Sequence, residues 1–388
     1  MPADRSPNQP ARWDIFCAVV DNFGDIGVCW RLARQLACEH GLAVRLWVDD
    51  LNSFRHLHNA VDPTRDAQRH SGVEVRRWPP SFPQLTPADV VIETFGCSLP
   101  DNYLAAMCAS DRRPVWINLE YLSAESWVDD YHALPSPHPQ LPLTKYYFFP
   151  GFTSRTGGLL REQGVTEQRQ AFQRSVKLQS EFWQSIDLPM KAPDEFRVSL
   201  FCYENAGLAE LLQAWASGEE RITCLVPAGN VRERLAALFT SREKIAPQIW
   251  RRGNLEVRGL PFLDQSDFDR LLWACDFNFV RGEDSFVRAQ WAARPFVWHI
   301  YPQQESAHWV KLNAFIDHYC AALPLNAAAG LRQFWRAWNS GRGSGDAWTA
   351  FLRHRSVLEV HAEQWSRYLL AHRDLASNLV EFSSNLLK

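Results

Sequence analysis

The chain alternates short apolar runs with stretches in which apolar residues recur every three or four positions. The apolar runs of the first half are IFCAVV (15–20), VRLWVDD (44–50), VEVRRW (73–78), DVVIETF (89–95), PVWINLEY (114–121) and KYYFFPGF (145–152). Such runs predict parallel strands that are covered on both faces. The amphipathic stretches between them are then the helices that cover the sheet.

The first amphipathic stretch shows how the strands connect. Val28, Leu32 and Leu36 follow helical spacing, and Gly41 stands where the residue after a helix end is often a glycine. Strand, helix and strand then form a βαβ unit. The first half is therefore predicted to be a Rossmann-like domain of class α/β, with its functional loops at the carboxyl ends of the strands.

A second alternating series follows a polar, proline-containing break, MKAPDEF at 190–196. Its predicted strands are FRVSLFCY, RITCLVPAG, NLEVRGLPF, FNFVRGE and PFVWHIYP, with amphipathic helices between them. This pattern predicts a second Rossmann-like domain, wholly helical after about residue 304. We expect an N-terminal domain at 1–152, a C-terminal domain at 153–371, and a final helix at 372–388 that can pack back on the N-terminal domain.

Composition narrows the class of protein. The 388 residues exceed what one hydrophobic core usually supports, in agreement with two domains. No apolar run approaches the roughly 20 residues that a membrane helix needs. The start, MPADRSPNQPARW, lacks the apolar core of a signal peptide. These features are typical of a soluble protein that does not act at a membrane.

Charge and cysteine content exclude further classes. The net charge is −3, and no block of five basic residues is present, which argues against a general nucleic-acid binder. The nine cysteines form no CxxC pair and lie mostly inside apolar runs, so we expect reduced thiols in a cytoplasmic protein. The 17 Trp and 23 Phe can serve either a core or a ligand platform.

The stretch DNFGD at 21–25 lies where the first strand meets its helix. Asp21 and Asp25 enclose Asn22, Phe23 and Gly24. A dinucleotide site needs a glycine-rich loop here, but GxGxxG is absent and two negative charges occupy the place. The charge favours a basic or proton-donating ligand. A plain turn with Asp25 as helix cap is the alternative, and the pattern alone leaves both readings open.

The stretch RGEDSF at 281–286 falls at a second junction of strand and helix. The N–H groups of Asp284 and Ser285 would lie at a helix start that can bind phosphate, and Arg281 adds a positive charge. Glu283 is able to accept hydrogen bonds from a sugar hydroxyl. The alternative is an ordinary acidic helix start, favoured by the helix dipole.

A third junction, GLPFLDQSDFDRLL at 259–272, offers Phe262 either to a flat ring or to the core. Asp267 and Asp269 match a DxD metal motif, but residues two apart on a helix point in different directions. The twelve histidines form no HxH or HExxH pattern, so we expect His299 and His308 to be structural. No metal site is predicted.

Together these stretches resemble one known family. DNFGDIGVCWRLARQL, VIETFGCSLP, NLEYLSAESW (118–127), PFLDQSDFDRLL and RGEDSFVRAQWAARPFVWHIYPQ are similar to the bacterial EarP family, the protein-arginine rhamnosyltransferases that modify elongation factor P. The likeness runs from about residue 13 to WSRYL at 365–369. It implies a GT-B glycosyltransferase architecture, with two facing Rossmann-like domains and an interdomain cleft. The donor, dTDP-β-L-rhamnose, would be held mainly by the C-terminal domain and the acceptor protein mainly by the N-terminal one.

The resemblance also implies roles for individual residues. Asp25 would be the general base, Asp21 its supporting acid and Glu283 the second essential carboxylate. The reaction centre and donor site would be lined by Asn22, Phe23, Gly24, Tyr203, Phe262, Gln265, Phe268, Arg281, Asp284 and Ser285. Of these, Gln265 and the two phenylalanines would hold the nucleotide base, while Arg281, Asp284 and Ser285 would hold the diphosphate and sugar.

The implied reaction is an inverting, metal-independent transfer of L-rhamnose to an arginine of elongation factor P, which activates that factor for ribosomes stalled at polyproline. The donor is a co-substrate, and no cofactor is expected. Two alternatives remain at this point: a GT-B glycosyltransferase with another acceptor, and a non-catalytic sugar-nucleotide-binding module that docks a translation factor. The second alternative has no need of the acids at 21, 25 and 283.

Overall fold

The computed structural model describes residues 10–20, 23–229, 231–303 and 306–387. The chain divides into two compact units. The first unit takes the chain up to Gln163 and again from His372, and the second unit is Gly164–Ala371. Within the described residues, no helix combines the length and the apolar character needed to cross a membrane.

The first unit contains an eight-stranded sheet in the order β3-β4-β2-β1-β5-β6-β8-β7. Its strands are β1 (Arg12–Cys17), β2 (Ala43–Val48), β3 (Ala67–His70), β4 (Val73–Arg77), β5 (Val90–Thr94), β6 (Val115–Leu119), β7 (Pro135–Pro137) and β8 (Thr144–Phe148). Its helices are α1 (Gly24–Glu39), α2 (Leu51–Leu57), α3 (Asp101–Ala109), α4 (Val128–Tyr131) and α15 (Leu375–Leu386). The strands from β4 to β8 along this order are parallel, and β3 and β7 add antiparallel edges.

Both faces of this sheet are buried, as the continuous apolar runs predict. Alternate residues of a strand point to opposite faces. Ile15 and Leu46 therefore join the core under α1, whereas Phe16 and Trp47 join a second core on the other face, beside α3. The two cores hold the strands in register, so the loops that follow the strands emerge at one edge.

The segment 153–163 belongs to the first unit, whereas the sequence pattern predicts it to be part of the second domain. Its backbone bonds explain the difference, because Gly157 N–H donates to the Phe149 carbonyl at 2.8 Å. Gln163 N–H donates to Glu39 of α1 at 2.8 Å. The sequence break at MKAPDEF marks a loop inside the second unit.

The C-terminal helix α15 packs on α1 in the first unit. Leu375 and Leu379 enter the core under α1. Gln35 of α1 donates from Nε2 to Asp374 at 3.1 Å and to the Arg161 carbonyl at 2.7 Å. The chain thus returns to the first unit after completing the second.

The second unit contains a seven-stranded sheet in the order β11-β12-β13-β10-β9-β14-β15. Its strands are β9 (Glu195–Leu200), β10 (Arg221–Val226), β11 (Lys244–Ala246), β12 (Ile249–Arg252), β13 (Leu255–Gly259), β14 (Phe277–Arg281) and β15 (Phe296–His299). Its helices are α5 (Val165–Arg174), α6 (Val176–Ser185), α7 (Leu208–Ser217), α8 (Val231–Leu238), α9 (Gln265–Ala274), α10 (Asp284–Ala292), α11 (Ala307–Cys320), α12 (Leu325–Ser340), α13 (Ser344–Leu352) and α14 (Arg355–Leu370). Strands β13 to β15 along this order are parallel.

Many of the aromatic residues serve the core of the second unit. Phe279 of β14 lies edge-on to Trp338 at 4.8 Å and stacks near Trp348 at 6.2 Å. Trp335, Trp338 and Trp348 are fully buried. Edge and stacked contacts of this kind add to the stability that burial alone provides. The helical end of the second unit is therefore a packed support for its sheet.

We predict that Leu379→Ala destabilises the protein by about 2–5 kcal/mol, because it leaves a cavity where α15 meets the core. Leu386, on the same helix, is the matched control, since it is 41% exposed whereas Leu379 is fully buried. Leu386→Ala should change the free energy of unfolding by less than about 0.5 kcal/mol. Urea unfolding of both variants measures the difference, and equal effects would show that α15 is not part of the core.

Candidate active site

The loop after β1 holds the first candidate residue. Asp25 is the second residue of α1 and is buried. Its Oδ2 accepts a hydrogen bond from the Val20 N–H at 2.9 Å. Asp25 therefore does not stand at the cap of its helix. Instead, the carboxylate belongs to the first turn of α1 and points toward Val20, in the loop that follows β1.

Asp21 and Asn22 lie outside the described residues. Phe23 precedes α1, and its ring lies edge-on to His56 at 5.9 Å. Gly24 is the first residue of the helix. The supporting role of Asp21 and the contacts of Asn22 stay predictions.

The first turns of α1 are tied to the neighbouring strand. Cys29, one turn after Asp25, lies 3.4 Å from Thr94 at the end of β5. Thr94 in turn donates to the Phe16 carbonyl of β1 at 2.8 Å. Residues four apart share one face of a helix, so this contact fixes the side of α1 that carries Asp25.

The same edge of the sheet holds a buried carboxylate for which the sequence predicts no role. Glu93 of β5 accepts from Lys145 Nζ at 2.6 Å and from Trp116 Nε1 at 3.1 Å. Burial raises the pKa of Glu93 above its ordinary value, although both partners act in the opposite direction. A glutamate inside the apolar run VIETF is the signal in the sequence for a buried carboxylate. Its partners Trp116 and Lys145 could not be predicted, because they belong to strands that come much later in the chain.

In the second unit, Glu283 lies between β14 and α10. It is the residue before the helix, and Lys311 Nζ of α11 lies 3.2 Å from Glu283 Oε1. Gly282 has a left-handed backbone, with φ of +60°, and its carbonyl accepts from Trp298 Nε1 at 2.8 Å. Glycine suits this tight turn because a Cβ would be strained there. Lys311 was not predicted to contact Glu283, since no local sequence pattern around position 311 indicates a contact with a residue 28 positions earlier.

Ser285 shapes this turn with its hydroxyl. The Arg281 N–H donates to Ser285 Oγ at 3.0 Å, and the hydroxyl donates to the Arg281 carbonyl at 2.5 Å. The first bond inside the helix runs from Val287 N–H to the Glu283 carbonyl. The N–H groups ahead of it make no bond within the helix, as at any helix start, and the dipole there favours an anion.

Aromatic rings hold the guanidinium of Arg281. It lies 4.6 Å from the ring centroids of Phe201 and of Tyr203. Tyr203 lies edge-on to the buried His299 at 5.4 Å. Burial lowers the pKa of His299 to about 4, and the charge of Arg281 adds to the effect. The positive charge therefore rests on Arg281, while His299 stays neutral near neutral pH.

The start of α9 adjoins this site. Gln265 is its first residue and is buried, and Gln265 Nε2 lies 3.4 Å from Asp284 Oδ2 of α10. Phe268 lies edge-on to Phe201 at 5.4 Å. Phe262, three residues before the helix, is exposed. Residues predicted to hold the donor are thus brought together at the starts of two helices.

Both aspartates of the DxD motif form ion pairs with arginines, one buried and one on the surface. Asp269 and Arg288 form a buried two-point ion pair, at 2.9 and 2.7 Å, that joins α9 to α10. Asp267 lies 2.9 Å from Arg270 on the surface. The two carboxylates point to different partners, as the helix geometry predicts. No set of three or more His, Cys, Asp and Glu side chains within the described ranges has the arrangement to hold a metal ion.

The two sheets define the class of the protein, which is the GT-B glycosyltransferase fold. MurG of Acinetobacter baumannii superposes with a TM-score of 0.50 at 12% identity, over 97% of this chain and 100% of that chain. The chain belongs to the family described as Elongation-Factor P (EF-P) rhamnosyltransferase EarP, whose family model matches residues 13–384.

Relatives across the whole length agree with this assignment. The protein-arginine rhamnosyltransferases of Pseudomonas putida KT2440 and Pseudomonas aeruginosa PAO1 are 51% and 48% identical, each over 97% of this chain and 100% of the relative. A solved structure that describes EarP-mediated arginine glycosylation of translation elongation factor EF-P has 38% identity and a TM-score of 0.69, over 97% of this chain and 99% of that chain. The resemblance found in the sequence is confirmed.

We predict that Arg288→Met destabilises the protein by about 3–5 kcal/mol, because Asp269 would remain buried without its cation. Arg270→Met is the matched control, since Arg270 and Asp267 form an exposed ion pair within α9 that is worth less than about 1 kcal/mol. Chemical unfolding of both variants tests this. Similar small effects would mean that the buried pair does not fix the two helices.

The pKa of His299 predicts a pH dependence of stability. In the unfolded chain the imidazole titrates near its ordinary pKa of about 6.5, so protons favour unfolding between that value and the folded pKa of about 4. The contribution of the neutral His299 to the free energy of unfolding is fully present above about pH 6.5. It falls by about 2 kcal/mol when the pH is lowered to about 5. The variant His299→Phe should lose this part of the slope in urea unfolding at the two pH values. If the variant keeps the same pH dependence of the free energy of unfolding, a group other than His299 causes it.

Proposed function

We propose that this chain transfers L-rhamnose from dTDP-β-L-rhamnose to an arginine side chain of elongation factor P. The observation that carries the proposal is the buried Asp25 at the carboxyl end of β1, held at 2.9 Å by the Val20 N–H. Membership of the EarP family supports the donor, the acceptor and the reaction type. A GT-B enzyme with another acceptor is the weaker candidate, because relatives named for this reaction match along 97% of the chain.

The reaction needs a base because an arginine guanidinium keeps its proton near neutral pH and is a poor nucleophile. A carboxylate can align the guanidinium through charge-assisted hydrogen bonds and then take its proton as the nitrogen attacks the anomeric carbon. Asp25 is assigned this role. The Val20 N–H occupies one of its oxygens, so the carboxylate is oriented before the acceptor arrives. Asp21 would add a second negative charge for the same cation.

The leaving dTDP diphosphate needs positive charge. Arg281, held over two aromatic rings, and the N-terminus of α10 provide it in the second unit. His299 is neutral near neutral pH, so the charge that attracts the diphosphate is that of Arg281. Gln265 and Asp284 would hydrogen-bond the donor, with Phe262, Phe268 and Tyr203 as ring surfaces.

Glu283 would accept hydrogen bonds from the sugar hydroxyls. Its ion pair with Lys311, at 3.2 Å, holds the carboxylate in one orientation and offsets its charge next to an anionic donor. Base and leaving group act on opposite sides of the anomeric carbon. The product is then the inverted, α-linked rhamnosyl arginine, formed in one displacement.

No metal or cofactor takes part in this scheme. The two DxD carboxylates form ion pairs with Arg288 and Arg270. The guanidinium of Arg281 and the N-terminus of α10 would supply the positive charge that a divalent ion supplies in other glycosyltransferases. We place the enzyme in the cytoplasm, where its acceptor works and where free cysteines are stable. The modified factor would then act on ribosomes stalled at polyproline.

The direct test is the intact mass of elongation factor P after incubation with this protein and dTDP-L-rhamnose. The proposal expects a gain of one deoxyhexose, located on an arginine by fragmentation. An unchanged mass with both substrates present would refute the proposed acceptor or donor. Modification of a lysine or a serine would refute the assignment of a guanidinium nucleophile.

We predict that Asp25→Asn lowers the turnover number by about 10²–10⁴-fold, the usual contribution of a positioned base. Asp49→Asn is the matched control, because Asp49 Oδ1 accepts from the Val19 N–H at 2.9 Å and so holds the same loop without a proposed role in proton transfer. Its effect on turnover should be under about 10-fold. Both variants should bind dTDP as the parent does, measured by titration calorimetry.

The comparison of the two variants separates chemistry from loop structure. If both carboxylates merely hold the loop, the two substitutions will lower turnover to a similar degree. If Asp25 belongs to the donor site, the affinity for dTDP will fall in step with turnover. Either result would contradict its role as base.

A further inference from the structure

The chain passes between the two units at two places, after Gln163 and after Ala371. On the first-unit side, the first crossing is preceded by the segment 161–163 and the second is followed by the segment 372–374. Both segments bind one side of α1, the helix that carries Asp25. We call the α1 residues that hold them the α1 clamp; they are Arg31, Gln35 and Glu39.

The α1 clamp residues share one face of their helix. They are spaced four apart, which places them one above another along α1. Arg31 and Gln35 are each only 2% exposed. Buried polar side chains need hydrogen-bond partners, and here the partners come from the two crossing segments. The polar face of α1 is therefore built to bind chain and not water.

Gln35 binds both segments with a single amide group. Its Nε2 donates to the Arg161 carbonyl at 2.7 Å, to Glu39 Oε2 at 2.9 Å and to Asp374 Oδ1 at 3.1 Å. All three partners are acceptors, so the amide fits only with its nitrogen toward them. Gln35 is thus the point at which α1 meets the outgoing and the returning chain.

The other two residues of the α1 clamp hold the outgoing segment. Arg31 Nη1 donates to Glu162 Oε1 at 3.1 Å, and the Gln163 N–H donates to Glu39 Oε1 at 2.8 Å. The guanidinium of Arg31 is buried, so the loss of its carboxylate partner would be costly. All three residues of the outgoing segment are therefore bonded to α1.

The returning segment is fixed as well. Asp374 caps α15, because its Oδ1 accepts from the Ser377 N–H at 3.0 Å and its Oδ2 accepts from the Ser377 hydroxyl at 2.6 Å. Arg161 Nη1 donates to the His372 carbonyl at 3.2 Å, which joins the two segments to each other. The α1 clamp therefore attaches the helix to two ordered segments and not to loose linkers.

Catalysis by the proposed mechanism depends on how α1 is fixed. The base comes from the first unit and the donor-binding groups from the second, and the peptide chain joins the units at the two crossings. Each turn of a helix is bonded to the next, so a displacement at Arg31 reaches Asp25, about 9 Å away at 1.5 Å per residue. A misplacement of about 1 Å can lower a rate about 10²-fold.

We propose that Arg31, Gln35 and Glu39 are positioning residues, which fix Asp25 relative to the two crossings and thereby to the unit that carries the donor. This inference rests on the proposed function, because it assigns residues that serve the same base. The α1 clamp acts through its helix and takes no part in proton transfer. It therefore affects the rate of the chemical step and not the affinity for the nucleotide.

The test compares Gln35→Met with a matched control, Asn378→Leu, in the transfer of rhamnose to elongation factor P. Asn378 of α15 donates from Nδ2 to the Gly157 carbonyl at 2.9 Å and to the Arg373 carbonyl at 3.5 Å, so it holds the returning chain through bonds that do not involve α1. Gln35→Met should lower the turnover number at least about 10-fold, and Asn378→Leu less than about 3-fold. The affinity of both variants for dTDP, measured by titration calorimetry, should stay within about 2-fold of that of the parent.

A double-mutant cycle shows whether Gln35 acts through Asp25. In the Asp25→Asn background the base is already lost, so Gln35→Met should lower the single-turnover rate by less than about 2-fold further. A purely structural role of Gln35 would give the same factor in both backgrounds. The cycle thus separates positioning of the base from a general loss of structure.

A folded Gln35→Met variant with the turnover number of the parent would overturn the role of the α1 clamp and leave the proposed function standing. Equal losses in Gln35→Met and Asn378→Leu, or additive losses in the cycle, would do the same. If the parent enzyme transfers no rhamnose to the factor, the proposed function and the α1 clamp both fall. Should Gln35→Met not fold, Glu39→Ala decides, because Glu39 is exposed and the variant should still lose at least about 3-fold in turnover.

Discussion

Parallel pairing of strands is the constraint on which the site of the first unit depends. Because β1, β5, β6 and β8 run in the same direction, the segments that follow them emerge at one edge of the sheet. That edge gathers Asp25, the buried Glu93 and the stacked rings of Phe95 and Tyr121, although they follow or belong to strands that are far apart in the chain. Two buried cores, one on each face, keep this edge in register.

Parallel strand pairing also places the candidate residues of the second unit, which would bind an anion instead of a cation. Its junctions after β13 and β14 present helix starts, and the buried pair of Asp269 and Arg288 fixes those two helices to each other. Buried pairs of this kind are costly to break, because the remaining charge has no water to solvate it. The guanidinium of Arg281, which would meet the diphosphate, lies against two ring faces, and among the described residues it has no carboxylate partner that would offset its charge. The first unit offers negative charge to a cation and the second offers positive charge to an anion.

The sequence predicted the elements and the junctions well, because apolar runs, helical spacing and turn residues are local signals. It also pointed to Asp25, Glu283 and Arg281, whose position after a strand is visible in the chain. It could not show that Lys311 reaches Glu283 or that Lys145 reaches Glu93, because those contacts depend on how distant elements pack. It assigned 153–163 to the wrong unit, since a composition break need not coincide with a break in contacts. For Asp21 and Asn22 the sequence remains the only guide.

Together these features describe one displacement in which a carboxylate deprotonates a guanidinium while a nucleoside diphosphate departs from the other face of the sugar. The anomeric configuration of the product tests this claim most directly. The one-bond coupling between C1 and H1 of the rhamnosyl arginine, measured by NMR on a digest of the modified factor, distinguishes the two anomers. The account predicts the α anomer from the β-linked donor, and a β-linked product would contradict it, because a single displacement from the face opposite the leaving group inverts the anomeric carbon.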